Sequence, residues 1–127
     1  MREIKFRAWD KAKEKMFIPI RLTFIKCIAG VTNAIGDRDV NPESNDYIVM
    51  QFTGLLDCNG KEIYESDIVK IPAFNPSIVE VVFNRGGFCL KQGDDDNFYS
   101  DIKYAEEERG EVIGNVYENE NLLNKNI

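Results

Sequence analysis

Histidine is absent from this chain of 127 residues. That excludes Ser-His and Cys-His nucleophilic pairs and any His-ligated zinc site. Cysteine is scarce: Cys27, Cys58 and Cys89 are an odd number with no CxxC spacing. They suit neither a disulfide framework nor a thiolate zinc centre, and the expectation is free, mostly buried thiols. No GxxxxGK[ST] phosphate loop occurs, so P-loop nucleotide chemistry has no carrier. No segment reaches the roughly 20 apolar residues of a membrane-spanning helix, and "MREIKFRAWD" alternates charged and apolar residues where a signal peptide would be continuously apolar. The expected setting is the cytoplasm.

What is present describes a globular domain. Hydrophobic residues make up 43% and charged residues 30%, enough to bury a core in a single domain spanning residues 1–127. The net charge of −6 is unevenly spread: residues 1–30 hold eight basic and three acidic groups, and residues 94–127 hold three basic and ten acidic. Such a division can steer a partner, pair the two ends within the fold, or draw one copy head-to-tail onto another.

Period-two alternation dominates the pass along the chain. "REIKFRAW" sets Ile4, Phe6 and Ala8 on one face and Glu3, Lys5, Arg7 and Trp9 on the other, a half-buried strand. Met16–Ile18 reads as its hairpin partner, and "IRLTFIKCI" alternates again. Residues 30–46 are rich in Gly, Asn and Asp and are expected to form a long surface loop. "DYIVMQFT" is a strand, and Asn59-Gly60 is the strongest hairpin-turn signal because both residues tolerate positive φ. "YESD" suggests one helical turn, "IVKI" an apolar strand, and "PAFNPS" a loop. "IVEVVF" reads as a central strand turned by "NRGG" into "FCLKQ". "FYSDIKY" and "EVIGNVYE" read as further strands around a charged "AEEERG", and the tail 119–127 as a helical turn carrying Leu122 and Leu123. Short strands, close turns and at most short helical turns define a mostly β fold: a small SH3-like barrel or a compact sandwich of antiparallel strands.

Catalytic signals are thin. Asp37, Asp39 and Asn41 alternate like the start of an EF-hand loop, but Pro42 stands where that loop needs Gly and Ile48 where it needs Glu. "GDDDN" offers three adjacent carboxylates, whose side chains diverge rather than converge on a cation. No cofactor and no metal are therefore expected, and no catalytic set is nominated. Lys5, Arg7 and Trp9, if exposed together, would suit a nucleic-acid backbone and a stacked base, although the acidic pI of about 4.7 speaks against it.

"MREIKFRAWDKAKEKMF", "MQFTGLLDCNGKEIYESDIVKI" and "GEVIGNVYENENLL" together resemble the YopX family of small bacteriophage and prophage proteins, in the right order and at both ends and the centre. The resemblance implies a phage or prophage origin, a bacterial host and a largely β fold. It brings no catalytic residues, because the family is of unknown function. Two departures sit in the central motif. Ser66 stands where the family commonly has Gly, which would cost about 1 kcal/mol if the position needs a positive φ. Leu56 and Cys58 replace residues that are usually polar, and would add an exposed apolar patch suited to a partner. The resulting expectation is a non-enzymatic protein-interaction module that engages a phage or host protein, with homo-oligomerisation as a further expectation. Its candidate surface comprises Lys5, Arg7, Trp9, Leu56 and Cys58. Nucleic-acid binding through the first strand is the alternative, and a metal-assisted hydrolase the more remote one.

Overall fold

The structure, a computed structural model, describes residues 3–19, 21–22, 39–41, 45–92 and 99–124. The chain falls into two compact units, residues 5–51 and residues 1–4 with 52–127. Among the described residues the fold is mostly β with two short helices.

In the first unit, β1 (Phe6–Asp10) pairs antiparallel with β2 (Lys15–Phe17), setting Ala8 opposite Phe17 and Asp10 opposite Lys15. The turn between them is organised by Asp10, whose Oδ1 accepts the backbone N–H groups of Ala12 and Lys13. Two short segments, β3 (Arg21–Leu22) and β4 (Asp39–Val40), pair in parallel, the one departure from antiparallel pairing among the described strands. Val40 and Asn41 are buried, so this part of the expected surface loop 30–46 is a packed strand end. Residues 30–38 and 42–44 lie outside the described residues, as do Cys27, Asp37 and most of "IRLTFIKCI". The long strand β5 (Tyr47–Leu56) lends residues 47–51 to β1, with Trp9 opposite Ile48. Phe17 and Tyr47 close this unit edge-to-face at 5.9 Å.

The second unit takes residues 52–56 of β5, where Phe52 opposes Tyr64 of β6 (Glu62–Tyr64). A bulge at Gly54 (φ 92°) shifts the register, and the Thr53 hydroxyl donates to the Ile63 carbonyl at 2.7 Å. A five-stranded antiparallel sheet follows, built from β7 (Asp67–Lys70), β8 (Ile78–Asn84), β9 (Gly87–Gln92), β10 (Tyr99–Asp101) and β11 (Glu111–Asn115). Its order is β10-β9-β8-β7-β11, so β8 is central as its apolar run implies. Alternation places Val79 and Val81 with Val69, Leu90 and Val112 on one face. With Ile63, Ile71 and Ala105 they form the buried core, flanked by Leu55, Phe74, Ile102 and Tyr104. The loop 72–77 covers this face through Phe74, edge-on to Tyr104 at 6.0 Å.

Two local expectations are corrected and a third is met. "YESD" is not a helical turn: Glu65 and Ser66 form a tight turn between β6 and β7, closed by the Tyr64 N–H on Asp67 Oδ2 at 2.7 Å. Ser66 has φ 73°, so the position that favours glycine does require left-handed backbone. "FYSDIKY" is a strand only to Asp101; α1 (Lys103–Glu107) follows, burying Ala105. That helix ends in a Schellman arrangement, with Arg109 at φ 56°, the Arg109 N–H on the Glu106 carbonyl at 3.3 Å and the Gly110 N–H on the Ala105 carbonyl at 2.8 Å. A β carbon on Gly110 would lie 2.8 Å from both that carbonyl and Val69 Cγ1, so the backbone can pass here only as glycine. Finally, α2 (Asn121–Asn124) supplies the expected helical turn, with Leu122 and Leu123 half-buried.

Candidate functional site

The sequence-predicted surface divides in two. Arg7 is 9% exposed and Trp9 8%, and Ala8 between them is wholly buried. Both faces of β1 are therefore covered, and the basic and aromatic face that period-two alternation assigns to solvent is not at the surface. Lys5 is half-buried. Alternation separates the two faces of a strand, but it marks one of them as wet only when nothing packs there. Leu56, 45% exposed, and Cys58 are at the surface as expected. Cys58 is thus an exception to the expectation of buried thiols, while Cys89 is half-buried.

Cys58 belongs to the turn joining β5 to β6, and that turn is anchored from below. It spans 57–61, longer than the two residues the Asn-Gly signal implies, and of that pair only Gly60 takes a positive φ, 82°. Asp57, 7% exposed, holds it together. One carboxylate oxygen accepts the Asn59 and Lys61 backbone N–H groups at 2.8 Å each, and the other accepts Val112 N–H of β11 at 2.9 Å. The Cys58 N–H donates to the Gly110 carbonyl at 3.0 Å. Burial pushes the Asp57 carboxyl up, but three backbone donors and the Lys61 ammonium outweigh it, and the group titrates below the ordinary carboxylate value. The carboxylate is satisfied where it stands, and its work is structural.

The turn joining β8 to β9 is different. Asn84 opposes Gly87, leaving only Arg85 and Gly86 between them, at φ 52° and 84°. Positive φ at both central residues is the type I′ reversal expected at Asn59-Gly60. Ser66 N–H meets the Val81 carbonyl at 2.7 Å where β7 begins, so the hairpin runs past the end of its neighbour. Phe83 and Phe88 lie opposite each other on that overhang, on the face that carries Val81 and Leu90 deeper in the sheet. Their rings meet edge-to-face at 5.3 Å, yet Phe83 remains 54% exposed. The pair continues the core face beyond β7 and leaves one ring half in water. "IVEVVF" reads as a central strand with no exposed end singled out, so sequence reasoning missed it. The available signal was distance from the reversal: Phe83 is two residues before Arg85, in a hairpin longer than the strand beside it.

Among the described residues no group of three or more acidic or cysteine side chains converges into a metal-ligand set. Asp94, Asp95 and Asp96 lie outside the described residues. Glu80, opposite Lys91 in the β8–β9 ladder, is pushed up by burial against the opposing pull of that lysine. No described helix is long and apolar enough to cross a membrane.

A mostly β chain with buried turn carboxylates and an overhanging aromatic hairpin is the class that fold and site define. The family model for YopX protein matches residues 5–124, and the chain belongs to that family. It is similar to the crystal structure of protein EF1440 from Enterococcus faecalis, with 30% identity, a TM-score of 0.64, and coverage of 97% of this chain and 99% of that one. It is also similar to the X-ray structure of protein yopX from Bacillus subtilis, at 26% identity, a TM-score of 0.57, and the same coverage. No curated protein matches the chain.

Proposed function

We propose that this YopX-family chain is a non-enzymatic interaction module of phage or prophage origin that docks a phage or host protein in the bacterial cytoplasm. The carrying observation is the Phe83–Phe88 pair, because an aromatic left half in water beside a second ring is a recurrent anchor of protein interfaces. Arg85 at the reversal is exposed and adds a charged donor at the rim. Leu56 and Cys58 supply a second exposed patch on the β5–β6 turn.

Affinity capture from host lysate with wild type and Phe83→Ser in parallel tests the reading. Proteins retained by the wild type should be lost from the variant while its melting curve stays within a few degrees of wild type. An identical set of captured proteins from both would remove the aromatic pair as the anchor.

A further inference from the structure

The two edges of the five-stranded sheet are finished unequally. Along β11, the groups facing away from β7 are already bonded. The Gly110 carbonyl accepts Cys58 N–H, Val112 N–H meets Asp57 Oδ2, and Asn115 N–H meets Asn119 Oδ1 at 3.2 Å. Along β10 the reverse holds. The two-residue reversal makes Asn84 and Gly87 a hydrogen-bonded pair, and strict alternation then turns Leu90 toward Ser100. Tyr99 and Asp101 are left with backbone N–H and C=O pointing away from β9, with no strand beside them among the described residues.

A second open edge lies in the other compact unit. Lys11 N–H donates to the Asp46 carbonyl at 3.2 Å, on the β5 side of β1, so Ala8 and Asp10 bond toward β2, and Met16 turns its backbone groups outward. No described strand pairs with that side of β2 either. The edges carry opposite charge. Lys11, Lys13 and Lys15 are exposed on β2 and its turn with Glu14 among them, and Asp101, Glu106, Glu107 and Glu108 are exposed on β10 and the helix after it with Lys103 and Arg109 among them, so the first edge is net basic and the second net acidic.

We propose that β2 of one copy adds to β10 of a second copy, a head-to-tail contact in which two open strand edges of opposite charge complete each other. An antiparallel register with Met16 opposite Asp101 matches outward backbone groups to outward backbone groups. It sets Ile18, 55% exposed, opposite Tyr99, and carries the lysines toward Glu106 and its neighbours. Because the two surfaces are different patches, each contact joins unlike edges, and the assembly either closes when two copies exchange both contacts or continues from copy to copy. Pairing by strand addition suits edges too short to associate without charge to align them. The inference deepens the interaction-module reading by naming one partner as the chain itself, and it uses none of the Phe83 surface.

Sedimentation of the full chain across concentration and salt provides the test. Mass should rise with concentration at low salt and return to monomer at high salt. Reversing the lysines (K11E, K13E, K15E) or the acids (D101K, E106K, E107K) should each weaken association by about tenfold or more. An equimolar mixture of the two variants should restore it. Tyr99→Pro, which removes one outward N–H and keeps every charge, should weaken it too; Phe83→Ser should leave it unchanged. A strictly monomeric wild type at low salt, association indifferent to both reversals, or a mixture that fails to recover would each overturn the proposal.

Discussion

Two turns in the same compact unit reverse hairpins and reach opposite ends. The 57–61 turn has the stronger sequence signal, Asn-Gly, yet its conformation is held by a buried carboxylate that also binds a strand 55 residues away. The 85–86 turn has only Arg-Gly, yet it adopts the two-residue reversal with no buried carboxylate beneath it and leaves Phe83 half in water against the half-buried Phe88. One turn is anchored and serves the fold. The other runs past β7, has α2 packed against its first strand, and leaves Phe83 half in water. Turn chemistry decides how a chain reverses; what the turn rests on decides whether it is available.

Breaking the anchor should have the largest effect. Asp57→Ala leaves three backbone N–H groups without their acceptor and should destabilise by about 3 kcal/mol in urea unfolding. Asp57→Asn, which keeps one acceptor oxygen, should fall between. The lowered titration of Asp57 gives a matching pH signature. Its stabilisation is fully present above the ordinary carboxylate range and is lost as pH falls through the lowered folded-state value. Acid unfolding of the Asn variant should therefore have a shallower slope in that range. A wild-type slope in Asp57→Asn would show that the anchor is not ionic.

Gly110→Ala attacks the same anchor from the other side, since Cys58 bonds to the Gly110 carbonyl. With two atoms at 2.8 Å from the new methyl group, a loss of about 2 kcal/mol is expected. Ser66→Gly relieves left-handed strain at a third turn and should raise stability by about 0.5–1 kcal/mol. Phe83→Ser, on the overhanging hairpin, should cost about 1 kcal/mol or less, the value of one ring pair, while abolishing capture. A loss matching that of Asp57→Ala would make the aromatic pair part of the core and dissolve the contrast between the turns. Smallest is Glu80→Gln. Burial holds Glu80 protonated to higher pH than usual, so its folded-state benefit is present at low pH and lost as pH rises through the raised value. The glutamine should remove that slope.

Most strands were legible. Alternation in "DYIVMQFT", the apolar runs of "IVKI" and "IVEVVF", and the Pro-containing "PAFNPS" each become the element their local pattern implies. Within the candidate site, Leu56 and Cys58 were legible as exposed because they depart from a polar motif on a turn. Arg7 and Trp9 were not, since alternation cannot report whether a strand's second face is covered. The helix over "KYAEE" was hidden in a charged stretch, because five residues are too few to show a helical period.

Period and turn chemistry along the chain are local properties, and they decided the β class and most of the places where the backbone reverses; the order of the strands in the sheets was not among them. Burial, the anchoring of Asp57 on Val112, the overhang of Phe83 and the unequal finish of the two sheet edges were decided only by folding. Each depends on groups far apart in sequence that meet once the entropy of closing the chain has been overcome.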